Sequence, residues 1–356
     1  MDTLSRTVFI FGAGASHEGG APLMNNFLQV AQDLRRSGRV QDVEQHFRLV
    51  EDARTLLAQS HSKSLGIDID NLETVFSAFE LARLVGSLGD MKKEDLKLLP
   101  DAYRIVIART LEETIGFENS DRGMLAPEPY RSFVDGIAEL RAEKKPLPNL
   151  ISFNYDLGLD WALIKAGFNI NYGFSQGRPT ASVNLFKLHG SINWVYSEKT
   201  KEILQWNLRD AYSNQQNIVH ETRDCIRYRI SPNLHLFRPN ENPKETQPLI
   251  IPPTFNKGAE NQYLSEVWRS SVEVLKEAEN IIVIGYSLPE TDQFFKYLYS
   301  LGTIGKSIIR KFTVIDPSKG SHLRFEGLLG PAVQGKYHPI YQKFSQAIKQ
   351  IKHELL

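Results

Sequence analysis

The chain has 356 residues, enough for roughly two domains or for one domain carrying a large insertion. Its 42 Lys and Arg balance 42 Asp and Glu, so it lacks the basic excess that a dedicated nucleic-acid binder needs for phosphate contacts. One cysteine, Cys225, excludes an internal disulfide and a cysteine-built zinc site.

At 41% hydrophobic and 24% charged residues the composition is that of a soluble globular protein. A zero net charge is compatible with homo-oligomers, since little repulsion keeps copies apart. No apolar run reaches transmembrane length, and the apolar stretch at residues 8–11 is too short for a secretory signal. A cytoplasmic protein with a reduced Cys225 thiol and no membrane partner is the expectation.

In chain order, residues 7–11 predict a buried strand that runs into Gly12-Ala13-Gly14-Ala15-Ser16. A helix is predicted over residues 22–36, with Pro22 in its first turn. Residues 40–145 read as mostly helical: Leu72, Val75, Phe76, Phe79 and Leu84 recur at helical spacing, as do Phe133, Ile137 and Leu140. Four more strands follow, over residues 150–153, 184–188, 281–284 and 312–315. Helical segments are predicted at 157–166, 264–279 and 291–301, and an amphipathic helix at 341–355 with Phe344, Ile348, Ile351 and Leu355 on one face. Alternating strands and helices predict a parallel sheet covered by helices. Residues 196–253 break the pattern and read as a long excursion with little regular structure, the kind of loop that is usually functional or partly mobile.

The unusual residues stand at strand ends. The first strand ends in the glycine turn, the second in Asn154-Tyr155-Asp156, the third in His189-Gly190-Ser191, the fourth in Gly285-Tyr286-Ser287-Leu288 and the fifth in Asp316-Pro317-Ser318. In an open parallel sheet ligands bind beyond the carboxyl ends of the strands, so these groups converge on one rim. Gly12 and Gly14 allow a phosphate to approach the backbone, although a purely structural turn explains them equally well. The dinucleotide fingerprint is incomplete, because His17 stands where its third glycine belongs, and no acid-terminated second strand follows; this excludes a hydride-transferring dehydrogenase. Asn154 can orient a ribose, a nicotinamide or a water, and Asp156 or Asn154 can equally cap the next helix. His189 can act as general base or satisfy a loop carbonyl. Ser287 can bond a ribose or phosphate oxygen. Asp292 begins a helix, where a carboxylate also favours the dipole, and Asp316 can hold an adenosine ribose or cap its turn.

Taken in order, these strings resemble the sirtuin superfamily. Gly12-Ala13-Gly14-Ala15-Ser16 looks like its first phosphate loop, Asn154 and Asp156 like its Asn-x-Asp element, His189-Gly190 like its catalytic histidine and glycine, and Gly285-Tyr286-Ser287-Leu288 like its Gly-x-Ser-Leu loop. Asn154-Tyr155-Asp156, Lys187-Leu188-His189-Gly190-Ser191 and the Gly285 string through Asp292 are similar to the bacterial sirtuin-like NADase branch used in anti-phage defence. Asp68-Ile69-Asp70-Asn71-Leu72-Glu73 resembles an acidic stretch in the helical insertion of that branch. The motifs span residues 8–318.

The resemblance implies an α/β fold with a Rossmann-like parallel sheet and helices on both faces. It implies a sirtuin-like NAD-binding domain formed by residues 1–39 and 146–356, with a helical insertion at 40–145 replacing the zinc module. It implies a hydrolase that cleaves NAD, its substrate, to nicotinamide and ADP-ribose during abortive infection. Asn154 and His189 would be catalytic. Gly12, Ala13, Gly14, Ala15, Ser16, Pro22, Asp156, Gly285, Ser287, Asp292 and Asp316 would bind NAD, and no metal is expected. The single cysteine departs from the zinc module of protein-deacylating sirtuins, which disfavours an NAD-dependent deacylase. A non-catalytic NAD or ADP-ribose-binding subunit is the other alternative. The expected absence of a fused sensor domain points to a separate partner, and the resemblance suggests a HerA-type hexameric ATPase.

Overall fold

The structure is a computed structural model that describes residues 6–59, 68–118, 124–174, 182–197, 200–205, 208, 218–222, 225–228, 248–251, 261–289, 293–304 and 307–355. Seven parallel strands form its main sheet: β1 (Thr7–Phe11), β2 (Asn149–Ser152), β3 (Asn169–Asn171), β4 (Ser182–Lys187), β5 (Asn280–Ile284), β6 (Lys311–Ile315) and β7 (Tyr337–Ile340). They lie in the order β7-β6-β5-β1-β2-β4-β3. β1 is central, and Val8, Phe9, Ile10 and Phe11 are all fully buried. A strand buried on both faces needs such a continuous apolar run.

Side chains alternate across a strand, so residue pairing tells which face each one joins. Phe9 and Phe11 pack edge-on against Phe133 of the helix Tyr130–Ala142, and Phe11 also meets Phe344 of the terminal helix Phe344–Leu355. Val8 pairs with Ile281, and Ile281 with Phe312, which places Phe312 on the opposite face. There it packs on Tyr299 and Phe325, from the helices Gln293–Gly302 and Lys319–Leu328. Helices therefore cover both faces of the sheet.

Helices Glu44–Gln59 and Leu72–Val85 both pack on the helix Lys93–Thr114 within the segment between β1 and β2. Asn71 caps the second, accepting from the Glu73 and Thr74 backbone N–H groups, and Gly86 ends it in the left-handed region at φ 71°. Leu72, Val75, Phe76 and Phe79 are buried as their spacing predicts, with Phe76 and Phe79 against Tyr103. Leu84 is not: it is 70% exposed, because five residues after Phe79 the helix has turned away from that face. The helix Tyr130–Ala142, also within 40–145, lies on the sheet itself.

Three expectations need correction. The helix after the glycine turn starts at Phe27, not at Pro22; a five-residue helix, Ala13–His17, comes first, and Asn26 ties the intervening turn by accepting from the Leu23 N–H. The edge strands β3 and β7 escaped the reading because they are short and polar, and Pro339 in β7 is tolerated only at an edge. The excursion contains strands: Trp194–Ser197 pairs with Glu202–Gln205, Ile218–Thr222 and Cys225–Tyr228 join Phe117–Glu118, and Leu249–Ile250 pairs with Gly190–Ser191. Segments of two to five residues are too short to show a periodicity.

Candidate functional site at the sheet switch point

From β1 the chain moves to β2 on one side, and later returns to β5 on the other. The crevice beyond the carboxyl ends of β1 and β5 is thus a topological switch point, where open α/β sheets bind ligands. Two glycine turns meet there backbone to backbone. The Gly14 N–H donates to the Gly285 carbonyl at 2.7 Å, and the Gly12 N–H to the Ile284 carbonyl at 3.0 Å. A Cβ on Gly12 would stand 2.5 Å from Tyr286 Cα, and one on Gly285, whose φ is +60°, would stand 2.2 Å from the Ala15 nitrogen. Glycine is required at both by close approach, and at Gly285 also by its conformation.

A cleft of about 500 Å³ opens at this junction, within the usual range for small-molecule sites. Ala13, Gly14, Ser16, Pro22, Asn154, Asp156, His189, Gly285, Ser287 and Asp316 all line it. Gly12 and Ala15 do not; they form the turn behind the wall. Asp292 and the side chain of Cys225 lie outside the described residues.

His189 is 5% exposed, with its ring edge-on to Phe153 at 5.0 Å, and its carbonyl accepts from the Ile251 N–H. Asn154 is buried in the wall of the same cleft. Its Nδ2 donates to the Gly12 carbonyl at 2.8 Å and to Ser16 Oγ at 3.0 Å, and lies 3.3 Å from Tyr130 Oη. Ser16 Oγ in turn donates to Asp156 Oδ2 at 2.6 Å, while Asp156 Oδ1 accepts from the Gly158 N–H at 2.9 Å. Asp156 therefore holds the first residue of the helix Gly158–Lys165 and also anchors the glycine turn. Burial pushes its carboxyl above the ordinary carboxylate range, opposed by the charge of Lys187. Burial likewise holds the Tyr130 phenol far above its usual value, and the Asp156 charge adds to this.

Beneath the turns lies a buried lysine. Lys187, at the end of β4 and 1% exposed, donates to the carbonyl of Asp156, to Ser191 Oγ at 2.7 Å and to Asp160 Oδ2 at 3.1 Å. Tyr172 Oη completes the cluster by donating to Asp160 Oδ1 at 2.7 Å. One amine thus bridges the turn that carries Asn154 and the turn that carries His189.

At the far rim, Asp316 Oδ1 accepts from the Ser318 N–H at 2.8 Å, and Arg324 Nε donates to the Ser287 carbonyl at 2.8 Å. Arg324 and Lys343 also line the cleft, as do Asn71, Leu72, Glu73 and Leu111 from the helices between β1 and β2. Tyr130, Asp160, Arg324 and Lys343 stand in no motif of the sequence. A lysine closing an apolar strand was the one available signal, since a buried amine needs acceptors around it. Among the described residues no group of three or more His, Cys, Asp or Glu is placed to hold a metal ion, and no helix is long and apolar enough to cross a membrane.

No family model matches this chain, and no curated protein does. Among solved structures it is similar to a Sir2 enzyme, at 14% identity and a TM-score of 0.46 over 98% of this chain and 92% of that one. It is similar to a Sir2 homologue in complex with NAD, at 13% identity and a TM-score of 0.44 over 98% and 88%. A mutant Sir2 homologue with ADP-ribose gives 13% and 0.41 over 98% and 91%.

Proposed function

We propose that the cleft binds NAD and hydrolyses its N-glycosidic bond, releasing nicotinamide and ADP-ribose. The observation that carries this reading is that Asn154 and His189, from two different strand ends, line one cleft together with both glycine turns. Breaking the bond develops oxocarbenium character on the ribose. Asn154 would orient a ribose hydroxyl or the attacking water. His189 would accept the proton released there, a contribution of roughly 100- to 10,000-fold. The phosphates would rely on Arg324 and Lys343, because the Gly14 N–H and the Ser16 hydroxyl are already engaged within the protein. Asp316 and Ser287 would hold the adenosine half.

The test is nicotinamide release from NAD by the purified protein, with Asn154→Ala and His189→Ala run beside it. Both variants are expected to fold and to lose turnover; wild-type turnover in either would overturn the assignment. Activity is expected to survive a chelator, given the donor set in the cleft. Acetyl-ADP-ribose formed from an acetylated peptide would instead identify a deacylase, and tight ADP-ribose binding without turnover would identify a binding subunit. The motif resemblance extends the proposal to a cytoplasmic, homo-oligomeric NADase of anti-phage defence, controlled by a HerA-type ATPase; co-purification of the two chains tests that part.

A further inference from the structure

We propose that the Gly12 carbonyl, Ser16 and Tyr130 together fix the polarity of the Asn154 amide, with Tyr130 a positioning residue that holds the Ser16 oxygen, so that Asn154 offers the ligand its carbonyl oxygen and never its NH2. This rests on the reading of the cleft given above. It follows from counting protons in a buried cluster of four side chains. Tyr130 is 2% exposed, Ser16 2%, Asp156 5% and Asn154 8%. Ser16 has one proton, which goes to Asp156 Oδ2. Its oxygen then has two lone pairs, filled by the Tyr130 hydroxyl at 2.7 Å and by Asn154 Nδ2. The second Asn154 proton goes to the Gly12 carbonyl.

Turning the amide over would set its oxygen 2.8 Å from the Gly12 carbonyl oxygen, an acceptor facing an acceptor. It would also face Ser16 and Tyr130 oxygens whose protons are already committed. Three unsatisfied contacts in a buried site make that orientation unfavourable. Ser16 and Asn154 line the cleft and Tyr130 does not, so Tyr130 acts on Asn154 through Ser16. The atom that meets Asn154 must therefore be a donor: a ribose hydroxyl or a water. A phosphate oxygen or the carbonyl of a carboxamide is excluded from that position.

Tyr130 suits a clean test. Its ring is wedged against Phe11 at 6.0 Å and Phe344 at 5.8 Å, so Tyr130→Phe keeps the packing and removes one oxygen. Two measurements are made on each variant: kcat and KM for nicotinamide release, and Kd for ADP-ribose by calorimetry. Tyr130→Phe is expected to lower kcat roughly three- to tenfold, with KM changed less and the thermal midpoint nearly kept. In an Asn154→Ala background, which has lost turnover, the same change should add nothing to the change in ADP-ribose Kd. Ser16→Ala, which removes the shared oxygen, should behave as Tyr130→Phe does and stands in for it if that variant fails to fold. An unaltered kcat and Kd, or a loss that adds in full to Asn154→Ala, would overturn the proposal. If no form of the protein turns over NAD, the hydrolase reading fails. The same cycle read as ADP-ribose Kd then decides the polarity proposal by itself.

Discussion

Lys187 shows what a single residue contributes here. An amine at 1% exposure needs acceptors around it, and it has Asp160, Ser191 and the Asp156 carbonyl. Replacing it with Met leaves the Asp160 carboxylate buried beside Tyr172 alone, and Lys187→Met is expected to cost about 3–5 kcal/mol in chemical denaturation. Adding Asp160→Leu removes the stranded charge and should recover much of that loss. Recovery of stability without recovery of turnover would separate bridging from folding. A double variant no more stable than Lys187→Met would show that the lysine's value is not in the charge pair. Asn154 and His189 were legible in the sequence because they stand at strand ends, where parallel sheets bind ligands. Tyr130 was not, since nothing in spacing shows a phenol meeting an amide 24 residues away and a serine 114 residues away.

Among elements, the two glycine turns are the hinge of the site. Gly285→Ala combines a left-handed φ of +60° with a Cβ 2.2 Å from a backbone nitrogen, which no rotamer relieves. The conformation alone costs about 1–3 kcal/mol, and the displaced turns should also weaken ADP-ribose binding. Gly86→Ala is the control: it has a φ of +71° but nothing within 4 Å of its Cβ, so it should cost stability and leave binding intact. Equal binding losses in both would show that the close approach does not matter. The five strands that end in unusual residues were legible because each is a run of buried apolar residues. The edge strands and the strands of the excursion were not, since pairing creates them and their own side chains carry no pattern. The helix Lys319–Leu328 went unread for a related reason: only Ser321, His322 and Phe325 are buried, so its apolar stripe is one phenylalanine wide.

In the molecule as a whole, three fully buried phenols set an alkaline limit. Burial raises Tyr103, Tyr130 and Tyr172 well above the ordinary value of 10.0. In the unfolded chain they ionise near that value, so the folded state binds more protons above it. Their stabilising contribution is complete below pH 10 and is lost as pH rises, by about 1.4 kcal/mol per pH unit for each group. Denaturation midpoints should fall steeply above pH 10, and less steeply in Tyr172→Phe; an unchanged slope in that variant would contradict its part. The helical character of the segment Leu72–Val85 was legible from period alone. That its N-terminus supplies Asn71, Leu72 and Glu73 to the cleft wall was not, because it depends on how two layers meet.

The central place of β1 has a consequence for how the protein is made. Thr7 pairs with Asn280, 273 positions later, and Val8 with Asn149. At about 5–20 residues per second, the first strand emerges from the ribosome tens of seconds before β5 exists to cover its open edge. Throughout that interval four side chains that end with no exposure at all have only part of their shelter, and an unpaired strand edge is a template for the wrong partner. Chains halted between β2 and β5 should accumulate as sticky, chaperone-dependent species, and the emergence of β5 is the moment at which the open edge of β1 is covered.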